Sequence, residues 1–296
     1  MHSTTLALAC AVVVWSPCVG AGGQGTSAGD VNALTRRIPP RSPRARTGSR
    51  VAEALAGLDA GERERAILRE ILDGNLPSFL RQLAPVELSD RAAGRTVSAT
   101  IFVTPDYLAI GSDDDFLRIP MNLATATTIA DAFGFVLPTR KMVNAIYEQS
   151  GHHFVPEPLP AGPRMTSTDY YRAHNGLIEK QARAAAVSPG TLVSGHKKDV
   201  VLTNLLTRTP GRLAIYGWHR TNGAPIQPLS TVHGACYADY SHGVRLVADM
   251  AWQGGTLRPV RNILRNASLA SALSDEGVIR VATFSASCSM GGQAAH

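Results

Sequence analysis

Four of the nine histidines in this 296-residue chain, His196, His219, His233 and His242, fall between Ser194 and Arg245. The same window carries Lys197, Lys198, Asp199, Trp218, Cys236, Asp239, Tyr240, Ser241 and Arg245. These residues lie in three phrases, GHKKDVV, YGWH and VHGACYADYSHGVRL. In each phrase a Gly, Pro or Asn break stands within a few residues of an apolar, strand-like run. Side chains at strand ends and on adjoining loops are where sites are assembled, so the window is the expected site.

The residue types point first to hydrolysis or elimination without a metal. An imidazole titrates near neutral pH, which makes His242 or His219 the general base or acid, with Asp199 or Asp239 to orient it. Lys198 and Arg245 are suited to a developing oxyanion or a substrate carboxylate. Tyr240 or Ser241 would serve as acid or nucleophile. Trp218 and Tyr216 would line a groove for sugar rings or peptide, and His196, His233 and Asp239 complete the substrate-binding set. No cofactor is needed for this chemistry. The alternative is a zinc hydrolase drawing ligands from His196, His219, His233, His242, Asp199 and Asp239, since zinc takes three N/O ligands and leaves a position for water. The spacings His-x-x-Asp at 196–199 and Asp-x-x-His at 239–242 match no standard metalloprotease signature. The other alternative is a non-catalytic envelope binding protein that uses the cluster to hold an anionic ligand.

Ala214–His219 (AIYGWH), then PIQPL, then Tyr240-Ser241-His242-Gly243-Val244-Arg245-Leu246 resemble the signature region of L,D-transpeptidases over about 35 residues. The pattern departs where Val244 directly follows Gly243, the position of that family's nucleophilic cysteine, and Cys236 lies seven residues before Gly243. The phrases GHKKDVV, YGWH and DYSHGVRL together also resemble an exported bacterial family to which no function is assigned.

The elements that must position these groups are mixed. A helical stripe runs through Glu62–Leu72, with Ala66, Ile67, Ile71 and Leu72 on one side. Pro77 opens a short helix to Leu83. Period-two alternation from Thr96 reads as a strand, Pro105-Asp106 as a turn, and Tyr107–Ile110 as the return strand. Asn122 caps a helix to Phe133, Pro138-Thr139 opens another over RKMVNAIYEQ, and a third runs from about Asp169 to Ala185. Leu192–Val193, Val200–Thr203 and Leu213–Trp218 are strand-like. Val244–Trp252 and Thr256–Val260 flank a Gln253-Gly254-Gly255 hairpin turn. A helix over Arg261–Leu273 and a strand over Val278–Phe284 close the chain. The expected fold is α+β, mostly antiparallel β regions bracketed by helices, in one or two domains.

The net charge of +6 has a local origin. Arg36, Arg37, Arg41, Arg44, Arg46 and Arg50 lie in an acid-free stretch, and without them 23 basic residues face 23 acidic ones. A nucleic-acid-binding domain would carry its excess on a folded face, so nucleic acid is excluded as the expected partner. Residues 1–21 read as an export signal, with Val19 and Ala21 before the cleavage point. Residues 22–50 read as a disordered Arg/Pro-rich leader, 51–150 as an N-terminal α+β region, 151–168 as a Pro-rich connection and 169–296 as the C-terminal region with the site. The expected product is a secreted or periplasmic hydrolase with no transmembrane span in its mature form. Its expected partner is an extracellular polymer, peptidoglycan or polysaccharide, or a small-molecule ligand. Cys236 and Cys288 remain for one disulfide after export, a pairing the spacing leaves open. Asp113-Asp114-Asp115 reads as a solvated turn and His152-His153 as an exposed loop. With no Walker, GxGxxG, GxSxG or paired CxxC motif, nucleotide-dependent and α/β-hydrolase readings have no support in the sequence.

Overall fold

The computed structural model describes residues 31, 33–92 and 94–280. The export segment at 1–21, Cys288 and positions 281–284 of the expected last strand lie outside this range. Residues 278–280 carry no strand. Six α-helices and fourteen strands occur among the described residues, paired mostly antiparallel, which is the expected α+β class.

The chain is anchored earlier than its composition implies. Helix α1 spans Gly48–Leu55 and α2 spans Ala60–Leu72. Ile38 is buried, Arg41 donates to the Asn75 side chain at 2.9 Å, and Arg81 donates to the Pro39 carbonyl at 2.6 Å. Residues 38–50 are therefore part of the folded body and not of a disordered leader. A guanidinium that bonds carbonyls and an amide inside its own chain holds a segment that hydrophobicity alone would release. Helix α2 begins two residues before the expected start because Asp59 and Glu62 cap it reciprocally.

Strands β1 (Ala84–Ala92) and β2 (Arg95–Val103) form a nine-residue antiparallel hairpin. The expected return strand at 107–110 is not the partner of β2. It becomes β3 (Ala109–Gly111), paired with β4 (Phe116–Arg118) around the exposed Asp113 and Asp114. Helix α3 (Leu123–Phe133) starts at Asn122, whose side chain accepts the Thr125 N–H, and stops at Gly134 in the left-handed region. After β5 (Phe135–Val136), helix α4 (Arg140–Glu148) is capped by Thr139. His152–His153 forms β6, partly buried and not an exposed loop, and helix α5 spans Thr168–Ala184.

The rest of the chain is β7 (Val193–Ser194), β8 (Lys198–Val200), β9 (Ile215–His219), β10 (Pro225–Ser230), β11 (His242–Gly243), β12 (Val247–Ala248), β13 (Ala251–Gln253) and β14 (Thr256–Arg258). Helix α6 covers Val260–Arg265, shorter than the expected Arg261–Leu273, and only a 3₁₀ turn follows at Ala270–Ala272. A six-stranded sheet runs β14-β13-β2-β12-β5, with β1 on β2; a four-stranded sheet runs β10-β9-β8-β11. Because β12 and β13 pair with β2, the two regions on either side of 151–168 share one sheet. One hydrophobic cluster runs from Ile38 to Ile279. The Pro-rich stretch crosses over this body, with Phe154 buried and Leu159 bonded to the Tyr240 hydroxyl.

Candidate functional site

The four-stranded sheet brings the three chemical phrases together. Strand β8 pairs antiparallel with β9, Lys198 against Gly217 and Asp199 against Tyr216. On its other edge β8 pairs parallel with β11, Lys198 against His242 and Asp199 against Gly243. Gly243 is what lets β11 enter: a Cβ there would stand 2.5 Å from Tyr107 Cδ1 and 2.8 Å from Lys197 Cβ. In β9, Gly217 (φ 104°) and then Trp218 (φ 53°) adopt left-handed backbone conformations. For a bulky non-glycine residue this conformation costs about 1–3 kcal/mol and is kept only where the surroundings hold it.

Consecutive side chains of a strand point to opposite faces, so Lys198 and Asp199 divide the predicted cluster. On the Lys198 face, one ligand atom each of His233, Asp239 and His242 lies within 4.8 Å of the others. Asp239 Oδ1 accepts the Ser241 N–H at 2.7 Å and the Ser241 hydroxyl at 2.6 Å. Its Oδ2 accepts the Tyr237 hydroxyl at 3.2 Å and stands 3.7 Å from His242 Nε2. The His233 ring stacks on Tyr237 with centroids 4.3 Å apart. His242 is fully buried, and among the described residues neither of its ring nitrogens has a hydrogen-bond partner.

The electrostatics of this face leave neutral imidazole beside carboxylate. Burial pushes His242 down to about 4, against the opposing pull of Asp239. Burial would raise Asp239, but His242, the two Ser241 bonds and Lys198 outweigh it and hold the carboxyl below its ordinary value. The Tyr237 phenol is pushed up to about 12 by burial and by Asp239, so it remains a donor at neutral pH. Lys198 Nζ lies 5.2 Å over the Trp218 ring.

On the opposite face, Asp199 Oδ2 accepts the Tyr107 hydroxyl at 2.8 Å, while its buried Oδ1 has no hydrogen-bond partner among the described residues. Burial raises the Asp199 carboxyl to about 6, with Arg245 and Tyr107 opposing. His219 stacks on Tyr147, which stacks in turn on His153. Its Nε2 is 3.3 Å from Asn144 Oδ1, the same oxygen that accepts the Tyr216 hydroxyl at 2.8 Å. A Cβ on Gly217 would stand 3.4 Å from His219 Nδ1 and 3.5 Å from Asp199 Oδ2. Asp199 and His219 therefore face each other across a glycine.

Several expected site residues are placed elsewhere. Arg245 is buried; it donates to the Thr104 and Val193 carbonyls, both at 2.7 Å, and covers the Tyr107 ring. It ties three segments together and presents no guanidinium to a substrate. His196 is buried on Asp106 at 3.0 Å, within a network in which Arg118 also pairs Asp106 and Glu179. The Tyr240 hydroxyl is bonded to both the N–H and the carbonyl of Leu159. Ser241 orients Asp239 and is not set as a nucleophile on His242. Cys236 is disulfide-bonded, and the other three cysteines lie outside the described residues.

Sequence reasoning missed Tyr237, Tyr107, Asp106 and Asn144. Tyr237 sits in the singled-out phrase two residues before Asp239, so its signal was present. Tyr107 and Asn144 come from a turn and a helix that carry no local mark of a site. No protein-family model, curated protein or solved structure matches this chain.

Proposed function

We propose that this chain is a metal-dependent hydrolase in which His233, Asp239 and His242 hold a divalent cation, zinc being the best fit. The observation that carries this reading is the trio itself, two imidazoles and a carboxylate within 4.8 Å, with both His242 nitrogens buried and, among the described residues, without a hydrogen-bond partner. A buried polar atom with no partner costs about 1–3 kcal/mol, a cost that a ligand at that atom removes. Zinc bound by three N/O ligands keeps a position for water, and two imidazoles with one carboxylate are such a set. Tyr237 and Ser241 fix the Asp239 carboxylate as supporting partners do around metal ligands.

When bound, the cation would polarise a carbonyl and lower the pKa of water. Water oxygen adds to the acyl carbon, the bond from that carbon to its leaving nitrogen breaks, and nitrogen takes the proton that water gives up. An acetal offers no carbonyl to polarise, so of the two envelope polymers the peptide portion of peptidoglycan is the better substrate. The export segment read in the sequence supports an extracellular target. Elemental analysis of the purified full-length protein tests the site: one equivalent of zinc, absent from the His242→Ala variant, is expected. A protein that binds neither zinc nor cobalt on titration overturns it.

A second reading, acid–base hydrolysis without metal, draws on the Asp199–His219 approach across Gly217. In that case His219→Ala abolishes turnover of peptidoglycan, and chelator leaves the unmodified protein active.

A further inference from the structure

Lys198 is the charged side chain beside the trio to which the metal-hydrolase reading gives no role. Its ammonium makes no hydrogen bond or ion pair with any described residue, although the side chain is only partly buried. Two observations fix where this charge stands. The β8–β11 register sets Lys198 directly opposite His242. Trp218 underlies the ammonium at 5.2 Å, and it does so from a left-handed backbone conformation that a tryptophan adopts only under constraint. A trio of two neutral imidazoles and one carboxylate carries one negative charge, so a divalent cation there would leave the centre positive, with a second positive charge beside it. A neutral or cationic substrate gains nothing from that arrangement, whereas an anionic one does.

Resting on the metal-hydrolase reading, we infer that Lys198 anchors a substrate carboxylate next to the scissile amide, so that the substrates are peptides ending in a free C-terminus and the last residue is released. In that reaction water oxygen bonds to the acyl carbon of the penultimate residue and the C–N bond breaks. The leaving nitrogen takes a proton, which gives a free amino acid and a shortened peptide acid. Trp218 is the positioning residue, holding the Lys198 stem and head over its ring.

Isothermal titration calorimetry on the full chain, metal-free and zinc-loaded, with N-acetylglycylglycine and its C-terminal amide, tests the anchor. The zinc-loaded protein is expected to bind the acid at least tenfold more tightly than the amide. Lys198→Met is expected to erase that preference, and Lys198→Arg to retain most of it. Cobalt absorption bands in the Lys198→Met protein, matching those of the unmodified one, show that the trio is intact and the variant folded. Equal or absent binding of acid and amide overturns the anchor. A preference that survives in Lys198→Met assigns the carboxylate to the cation and overturns it equally. Absence of cobalt bands in the unmodified protein removes the metal reading alone. The acid–amide comparison on the metal-free protein then decides the anchor: a Lys198-dependent preference keeps it and no preference removes it.

Discussion

Lys198 places its ammonium 5.2 Å over the Trp218 ring, while its chain neighbour Asp199 accepts the Tyr107 hydroxyl at 2.8 Å on the other face of β8. One peptide bond thus separates two chemical environments. The Lys198 face holds His233, Asp239 and His242; the Asp199 face holds Tyr107, Arg245 and, across Gly217, His219. Assigning function to one face or the other is a matter of single substitutions.

Replacing His233, Asp239 or His242 by alanine is expected to lower zinc affinity by more than about 100-fold, and Tyr237→Phe by about tenfold, because supporting hydrogen bonds around metal ligands are worth factors of about 10–100. His219→Ala is expected to leave zinc affinity unchanged. Competition with a chromophoric chelator measures all five. Equal loss in His219→Ala would merge the two faces into one site.

Gly243→Ala is expected to destabilise the fold by about 1–3 kcal/mol or more, the cost of inserting a methyl into a filled space. The new Cβ would press on Tyr107 Cδ1 and Lys197 Cβ, so β11 would have to move away from β8. Urea unfolding measures the loss. A variant as stable as the unmodified protein would show that β11 is not seated as described.

Asp106→Ala is expected to cost about 3–5 kcal/mol, since it leaves the buried Arg118 guanidinium without its main partner. The Asp106 carboxyl is held far below the ordinary carboxylate range: burial pushes it up, but Arg118 and His196 outweigh burial. Its stabilising contribution is therefore present above the unfolded carboxylate value and is lost as pH falls below it. Denaturant midpoints at pH 7 and below pH 4 check both statements.

Asp199 titrates with the opposite sign. Its folded value of about 6 lies above the ordinary carboxyl value of 3.8, so the folded state holds the proton more tightly. Stability from the protonated form is complete below about pH 4 and is lost as pH rises through 6, about 3 kcal/mol in all. Asp199→Asn, which keeps the neutral shape, is expected to gain about that much on the unmodified protein between pH 4 and pH 7. Urea unfolding of both proteins at the two pH values measures it; a constant difference would mean that Asp199 ionises like an exposed carboxyl.

Elements whose ends are marked by local chemistry were legible in the chain. Helix α3 has Asn122 before it and Gly134 after it, and α4 has Thr139; each signal acts within a turn of the residues it controls. Strand β1 was not legible, because Pro85, Glu87 and Ser89 lie on its exposed edge and only Val86 and Leu88 are inward. The fold at 38–50 was hidden for a related reason. Arg41 and Arg81 secure that segment through acceptors up to 42 residues away in sequence, and composition carries no trace of such distant partners.

By itself the sequence determined the α+β class and carried its densest set of titratable side chains in residues 196–245, because side-chain type, strand-like alternation and capping are properties of neighbouring residues. Only the tertiary structure decided which members of that cluster meet. The parallel seat of β11 on β8 sets His242 beside Lys198, the left-handed turn at Gly217 and Trp218 re-aims β9, and Arg245 and His196 are drawn into buried bonds with Thr104, Val193 and Asp106. Strand register and backbone handedness determine which face a side chain occupies. Both are settled by pairing partners tens of residues away, and a one-residue change in either moves every group to the other side.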